Sequence, residues 1–182
     1  MQVKIGVSNR HVHLKKEDAD ILFGKDYEFT KRNDLSQHGE YACLETVELI
    51  TDNYTFPHAR IVGPIRNYTQ VEISESDAKL LGLNPPVRDS GDLDGASDIK
   101  IKGPKGEILS KSSCIIPNRH IHKNKHSKFG YNNGDIIKGK IKGKVMDDIH
   151  VKEKDTYELE LHITKDDAVY YNVENGEYID IE

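Results

Sequence analysis

The chain has 182 residues, which is long enough for one large or two small domains with their own cores. Its formal net charge is −5 and its sequence pI is near 6.0. The acidic balance excludes a broad cationic surface, so we expect no nucleic-acid partner. No apolar run is long enough to span a membrane and the first predicted strand begins almost at Met1. We therefore expect a cytoplasmic protein without a signal peptide, transmembrane span or membrane partner, and its two cysteines, which lack a CxxC spacing, fit a reducing compartment.

In chain order, the sequence is rich in short strands and poor in long helices. Alternating or β-branched stretches predict strands over residues 3–7, 44–50, 59–62, 69–73, 98–101, 113–116, 135–137, 156–161 and 178–181. Short helices are predicted over residues 18–23, 77–81 and 167–171, each followed by a glycine or asparagine stop signal. The stretch from Gly103 to Gly106 predicts a hairpin turn. This mixture predicts a mainly β fold with short helices (α+β), built as two small helix-capped β-barrels.

A repeated pentapeptide is the strongest functional signal in the chain. Asn-Arg-His-x-His occurs at residues 9–13 and again at residues 118–122. Because side chains alternate along a strand, the two histidines of each copy should project from the same face. Two adjacent imidazoles supply half of a zinc site, so two copies indicate a duplicated unit that builds a metal centre. We expect the copies to mark the crossings between a discontinuous first domain, residues 1–10 and 118–182, and a second domain, residues 11–117.

A second repeat extends the first and adds two candidate ligands. An Asp-Ala pair follows His13, Glu72 and His162, with the aspartate five residues and the alanine six residues further along in each case. Each stretch is therefore interpreted as a strand that ends in a metal-competent side chain and leads into a short helix. Ser74 and Thr164 each stand three residues before an aspartate, a pattern typical of a helix N-terminus.

Equivalent ends of repeated units tend to converge, so these side chains should gather around a metal. The candidate ligands are five histidines and one carboxylate: His11, His13, Glu72, His120, His122 and His162. Six ligands exceed what one tetrahedral zinc ion needs and suit two open sites. The nitrogen-rich set favours zinc over magnesium or calcium. The sequence therefore predicts two zinc ions at the junction of the two domains.

Several ordered motifs together resemble the PduL-type phosphotransacylases, the phosphate propanoyltransferase family. They are residues 6–14 (GVSNRHVHL), 35–37 (LSQ), 63–66 (GPIR), 69–74 (TQVEIS), 84–93 (NPPVRDSGDL) and 118–122 (NRHIH). The resemblance covers nearly the whole chain and implies two helix-capped barrels, a dinuclear zinc site and bound coenzyme A. It also implies that a short-chain acyl-CoA and phosphate are interconverted with an acyl-phosphate and free coenzyme A.

The resemblance also assigns roles to individual residues. It implies zinc ligands at the six positions already found from the repeat, a phosphate-binding arginine at Arg66 and a serine near the metals at Ser90. The coenzyme A contacts that it implies are Val7, Ser8, Asn9 and Arg60. A guanidinium suits phosphate because its planar fork makes two parallel hydrogen bonds. We expect direct attack of phosphate on the thioester, with Ser90 as a hydrogen-bonding group. The resemblance further implies that members entering microcompartments have an additional N-terminal segment; because the first predicted strand begins almost at Met1, we expect a free-standing cytosolic enzyme.

Two other functions are open on the residues alone. In a cupin-type metalloenzyme, His11, His13 and Glu17 would bind a single iron or manganese ion. In a non-catalytic binding module, closed zinc sites would only stabilise the fold. Acyl-chain preference is not encoded in a readable pattern, and a symmetric homo-oligomer is the default expectation for a small enzyme of this kind.

Overall fold

The computed structural model describes residues 1–181, which form fourteen strands and three short helices. Strands account for 48% of the chain and helices for 12%, so the mainly β prediction is confirmed. In chain order the elements are β1 (Gln2–Ser8), β2 (His11–His13), α1 (Lys16–Phe23), β3 (Lys31–Asp34), β4 (Tyr41–Ile50), β5 (Thr55–Gly63), β6 (Gln70–Glu72), α2 (Glu75–Leu81), β7 (Val87–Arg88), β8 (Ser97–Lys102), β9 (Glu107–Pro117), β10 (Arg119–Lys123), β11 (Ile136–Ile141), β12 (Lys144–Glu153), β13 (Glu160–Thr164), α3 (Lys165–Tyr171) and β14 (Tyr178–Asp180).

The chain divides into two compact units, each barrel-like. Unit 1 comprises Met1–Asn9, Ser36–His38 and Pro117–Glu182, and unit 2 comprises Arg10–Leu35 and Gly39–Ile116. The assignment of Ser36–His38 to unit 1 has no counterpart in the domain ranges predicted from the sequence. The backbone N–H of His38 donates to the carbonyl of Thr156 at 3.4 Å, which ties this short segment to unit 1.

Unit 2 is a closed barrel. Its strands pair in the order β4-β5-β2-β6-β9-β8, and the ring closes because β8 pairs with both β4 and β9. The alternating residues that face inward are fully buried, among them Val12, Val71 and Cys114. Each large aliphatic side chain buried in this way contributes roughly 1.5–3 kcal/mol. The barrel core therefore holds the short strands β2 and β6 in place, although neither could persist alone.

Unit 1 is a curled half-barrel sheet with the strand order β11-β12-β10-β13-β1-β14. Its separate core contains Ile5, Ile121, Ile149 and Leu161, all fully buried. The shared feature of the two units is the setting of the repeated strand. β2 and β10 each have a parallel neighbour on one side and an antiparallel neighbour on the other.

Two of the three predicted helix starts are confirmed by their caps. The side chains of Ser74 and Thr164 accept hydrogen bonds from the backbone N–H of Asp77 and Asp167. The first helix differs, because it begins at Lys16 and its N-cap residue, Lys15, makes no side-chain cap.

One predicted strand is wrong in its first half. Residues 156–161 alternate in polarity, but the backbone N–H of Tyr157 donates to the carbonyl of Lys154 and closes a turn there. The strand begins only at Glu160 and runs to Thr164. The hairpin turn predicted from Gly103 to Gly106 is confirmed by a 2.9 Å hydrogen bond between those two residues. No helix within residues 1–181 has the length and apolar character needed to cross a membrane.

Candidate metal-binding site

The first donor set lies in unit 2 and consists of His11, His13 and Glu72. His11 and His13 project from the same face of β2, with ring centroids 5.0 Å apart. Antiparallel pairing of β2 with β6 puts Glu72 directly opposite His11. The Nε2 atom of His11 contacts Oε2 of Glu72, and Nε2 of His13 is 4.0 Å from the same oxygen. Two nitrogens and one oxygen therefore converge on one point.

The second donor set repeats this arrangement in unit 1 with His120, His122 and His162. Pairing of β10 with β13 puts His162 opposite His120, as Glu72 is opposite His11. The rings of His120 and His162 are nearly parallel, and their centroids are 5.0 Å apart. In each set the three ligand atoms lie within 4.8 Å of one another.

Hydrogen bonding fixes the tautomer of one of these histidines. Nδ1 of His120 is 2.9 Å from the backbone carbonyl oxygen of Asn118. Because a carbonyl can only accept, Nδ1 must carry the proton, which leaves the lone pair on Nε2. This is the outer contact that metal-binding histidines commonly make.

Burial keeps the central histidines neutral. Desolvation lowers the pKa of His13 from 6.5 to about 3, and the neighbouring His11 acts in the same direction. The pKa of His122 is lowered mainly by burial, with further contributions from His162 and His120. Neutral imidazole is the form that binds a metal, so both donor sets are prepared for a cation at neutral pH.

The donor sets fit zinc in number and type. Structural zinc sites use four protein ligands, whereas three ligands leave a position for water or substrate. Imidazole and carboxylate donors suit zinc. The buried thiols Cys43 and Cys114 belong to neither set, and burial raises their pKa values to about 11 and about 12. Glu17, which a cupin site would use, is exposed on α1 and lies outside both sets.

The arginine of each repeated pentapeptide anchors its strand to the helix that follows the partner strand. Arg10 makes two hydrogen bonds with the carboxylate of Asp77, at 3.0 and 3.2 Å. Arg119 makes two hydrogen bonds of 2.8 Å with the carboxylate of Asp167. The Asp167 pairing raises the pKa of Arg119. These bidentate pairs tie the strand that carries each histidine pair to a neighbouring helix, which gives the arginine before the histidines the same role in both copies.

Arg66 lies in unit 2 and its guanidinium has polar partners on two sides. Nη1 donates to the hydroxyl of Tyr68 at 3.2 Å and to Oγ of Ser90 at 3.1 Å. Nη2 donates to Oε1 of Glu40 at 2.6 Å. The backbone N–H of Arg66 donates to the carbonyl of Leu14, which ties this loop to the end of β2. Arg66, which was predicted to bind phosphate, and Ser90, which was predicted to lie near the metals, are therefore in direct contact.

A buried amide joins Ser90 to the first donor set. Gln70 donates from Nε2 to Oε1 of Glu72 at 2.9 Å and to Oγ of Ser90 at 3.1 Å. Its Oε1 accepts from the backbone N–H of Gly91 at 2.8 Å. One hydrogen-bonded chain therefore runs within unit 2 from the carboxylate of Glu72 to the guanidinium of Arg66.

The residues expected to contact coenzyme A stay predictions, and they lie in different units. Val7, Ser8 and Asn9 are at the end of β1 in unit 1, where the backbone N–H of Val7 donates to Asn175 and the hydroxyl of Ser8 donates to the carbonyl of Ile163. Arg60 belongs to unit 2 and is paired in register with His11. Its Nη1 donates to the carbonyls of Cys43 and Leu44.

Sequence reasoning missed three residues of this site: Gln70, Glu40 and Tyr68. Only Gln70 carried a usable signal, since it precedes Glu72 by two positions and must share its face of β6. His150 is paired in register with His120 on the neighbouring strand β12.

The chain is similar to known proteins over almost its whole length. A family model described as phosphate propanoyltransferase matches residues 4–174. A phosphate propanoyltransferase of Thermotoga maritima is 40% identical over 183 residues, covering 96% of this chain and 86% of the relative. Two further phosphate propanoyltransferases are similar to this chain. That of Clostridioides difficile is 39% identical, covering 91% of this chain and 82% of the relative. That of Limosilactobacillus reuteri is 40% identical, covering 96% of this chain and 84% of the relative.

These similarities define the class of the protein as an acyltransferase. The chain belongs to the phosphate propanoyltransferase family, so the resemblance found in its motifs is confirmed. Membership in a family of enzymes excludes the cupin and the non-catalytic module as its class.

Proposed function

We propose that this protein interconverts a short-chain acyl-CoA and inorganic phosphate with an acyl-phosphate and free coenzyme A. The observation that carries the proposal is the position of Arg66, whose guanidinium is joined through Ser90 and Gln70 to the donor set of Glu72. An anion-binding group and a metal-binding group linked in this way suit a reaction between a phosphate and a thioester.

We further propose that each donor set holds one zinc ion. Three neutral or anionic donors in each set support this assignment, because they leave a coordination position open. A zinc ion supplies Lewis-acid polarisation of an oxygen and a soft partner for a thiolate. The dinuclear centre expected from the sequence stays a prediction.

The reaction needs phosphate held as a nucleophile against the thioester carbonyl. Arg66 presents a charged fork that can hold two phosphate oxygens, and Ser90 adds a hydroxyl beside it. An oxygen of hydrogen phosphate forms the new C–O bond, the C–S bond breaks, and the thiolate leaves. The proton that hydrogen phosphate loses balances the one that the thiol gains, so no further reactant is needed. Holding both reactants in one orientation accounts for much of the acceleration expected from such a site.

An acyl-serine intermediate does not fit the contacts of Ser90. Its Oγ is hydrogen-bonded to a guanidinium and to an amide nitrogen, and neither group can accept its proton. Ser90 therefore acts as a hydrogen-bonding residue, and phosphate attacks the acyl carbon directly.

The test is release of free thiol from acetyl-CoA and from propanoyl-CoA, measured with and without phosphate and with and without a zinc chelator. We expect release that requires phosphate, that produces an acyl-phosphate in equal amount, and that stops after chelation and returns with added zinc. Thiol release at the same rate without phosphate would identify a thioesterase and contradict the proposal.

A further inference from the structure

Gln70 is a fully buried amide in contact with both parts of the candidate site. It is 0% exposed and lies on β6 two residues before Glu72, so the two side chains share a face. Across the sheet it is paired with His13. Burying an amide costs free energy unless its polar atoms are hydrogen-bonded. Each hydrogen bond of Gln70 therefore offsets part of the cost of its burial.

The backbone of Gly91 fixes which way this amide points. Its N–H donates to Oε1 of Gln70 at 2.8 Å, and an N–H can only donate, so the oxygen must face Gly91. The NH2 group therefore faces Glu72 and Ser90, and its two protons are donated to those residues. A rotated amide would lose the hydrogen bonds with Gly91 and with the carboxylate of Glu72.

The first consequence concerns the carboxylate of Glu72. Its Oε1 accepts from Gln70, whereas its Oε2 faces the Nε2 atoms of His11 and His13. The amide thus holds one oxygen away from the imidazoles and directs the other towards them. This arrangement favours a carboxylate that binds a metal through one oxygen only.

The second consequence concerns the hydroxyl of Ser90. Its Oγ accepts one hydrogen bond from Arg66 and one from Gln70, each 3.1 Å long. A hydroxyl has two lone pairs and one proton, so with both lone pairs occupied its proton must be donated elsewhere. Ser90 is exposed, and an acceptor on its solvent side is therefore the partner for that proton.

We propose that Gln70 is a positioning residue that couples the donor set of Glu72 to the anion site of Arg66. It directs one carboxylate oxygen towards the imidazoles that would hold a metal with it, and it makes Ser90 a hydrogen-bond donor for an oxyanion such as phosphate. This inference rests on the proposed function, and it adds a residue that touches neither the substrate nor the metal.

The test compares Gln70→Met, which keeps the volume but removes both donors, and Gln70→Glu, which keeps an acceptor for Gly91 but places a second carboxylate beside Glu72. We expect chelator competition to show zinc bound about 10–100-fold more weakly at one of two sites, the range typical for loss of an outer contact of a ligand. The KM for phosphate should rise about threefold to tenfold, while the KM for acyl-CoA stays unchanged. The loss of zinc affinity should be larger in Gln70→Met, because the charge added by Gln70→Glu itself attracts a cation.

Ser113→Ala is the matched control, because Ser113 is also a buried polar residue of unit 2, where it donates to the carbonyl of Ser110. It should leave zinc affinity and the phosphate KM unchanged. Wild-type zinc affinity at both sites in a folded Gln70→Met protein would overturn the inference. Unfolding of both variants would also overturn it, since the role of Gln70 would then be packing. Absence of phosphate-dependent thiol release in the wild-type protein would contradict the proposed function instead, and zinc binding would still decide the role of Gln70.

Discussion

At the scale of single residues, Arg66 and Glu40 decide how the protein binds an anion. The two side chains form an ion pair of 2.6 Å with about four-fifths of each side chain buried, since they are 21% and 18% exposed. Arg66 is also held by Tyr68 and Ser90. The guanidinium is therefore oriented by three neighbours before any substrate binds, which lowers the entropy lost when phosphate is bound.

Replacing Arg66 with alanine should raise the KM for phosphate by about tenfold or more, because hydrogen bonds to a charged group are worth roughly 1.5–3 kcal/mol. Turnover should slow, while zinc content stays normal because Arg66 belongs to neither donor set. Steady-state kinetics and metal analysis check both statements. Arg88→Ala is the control, since its guanidinium donates to the backbone carbonyls of Val87 and Asp94 and forms an ion pair of 3.9 Å with Asp92, so it has other partners than Arg66 has. Loss of zinc in Arg66→Ala would contradict this separation of roles.

Replacing Glu40 with glutamine should lower the KM for phosphate about threefold to tenfold. The substitution removes a carboxylate that competes with phosphate for Arg66, and a unit charge at this distance contributes about 1 kcal/mol in water-like surroundings and more where it is partly buried. Glu107→Gln removes the same charge from an exposed pair with Lys100 and should leave the KM unchanged. A higher KM in Glu40→Gln would show that the carboxylate serves mainly to orient Arg66.

The zinc-free protein should lose stability in mild acid because of His13. Burial lowers the pKa of His13 from 6.5 to about 3, so the unfolded chain takes up a proton that the folded chain refuses. The free energy of unfolding should therefore fall by about 1.4 kcal/mol for each pH unit between 6.5 and 3, and His122 should act in the same direction. Urea unfolding at a series of pH values measures this. His13→Gln should reduce the slope, whereas replacement of the exposed His126 should not.

At the scale of elements, the duplicated unit is a strand, a donor side chain and a capped helix. Thr164→Ala should lower the free energy of unfolding by about 1 kcal/mol, because Thr164 caps α3 through the N–H of Asp167. Ser74→Ala should do the same at α2. Lys15→Ala is the control, since Lys15 makes no side-chain cap at α1. Denaturant unfolding that shows equal losses for all three variants would contradict the role of the caps.

The repeat made much of the site predictable from the sequence. It identified both histidine pairs, Glu72 and His162, because spacing within a strand determines which side chains share a face. It could not show that the donors form two sets of three, since that depends on pairing across the sheet, which puts Glu72 opposite His11 and His162 opposite His120.

Contacts between distant segments were beyond the reach of the sequence. Glu40 contacts Arg66 and Gly91 contacts Gln70 although the two pairs are separated by 26 and 21 positions in the chain, and no local pattern specifies such contacts. The strand predicted from residue 156 failed for a different, local reason. Alternation of polar and apolar residues there is real, but the turn at Lys154 and Tyr157 delays the strand.

At the scale of the whole molecule, each unit has its own core and carries one complete donor set. Zinc that binds only the folded state should raise the stability of both units by mass action, by about 2.7 kcal/mol at a hundredfold excess over Kd. The most direct test of the central claim is therefore the zinc content of the purified protein per chain. We predict two zinc ions in the wild type, and one in each of the folded variants Glu72→Gln and His162→Gln. A wild-type content below two, or two ions retained in both variants, would contradict the assignment of one ion to each donor set.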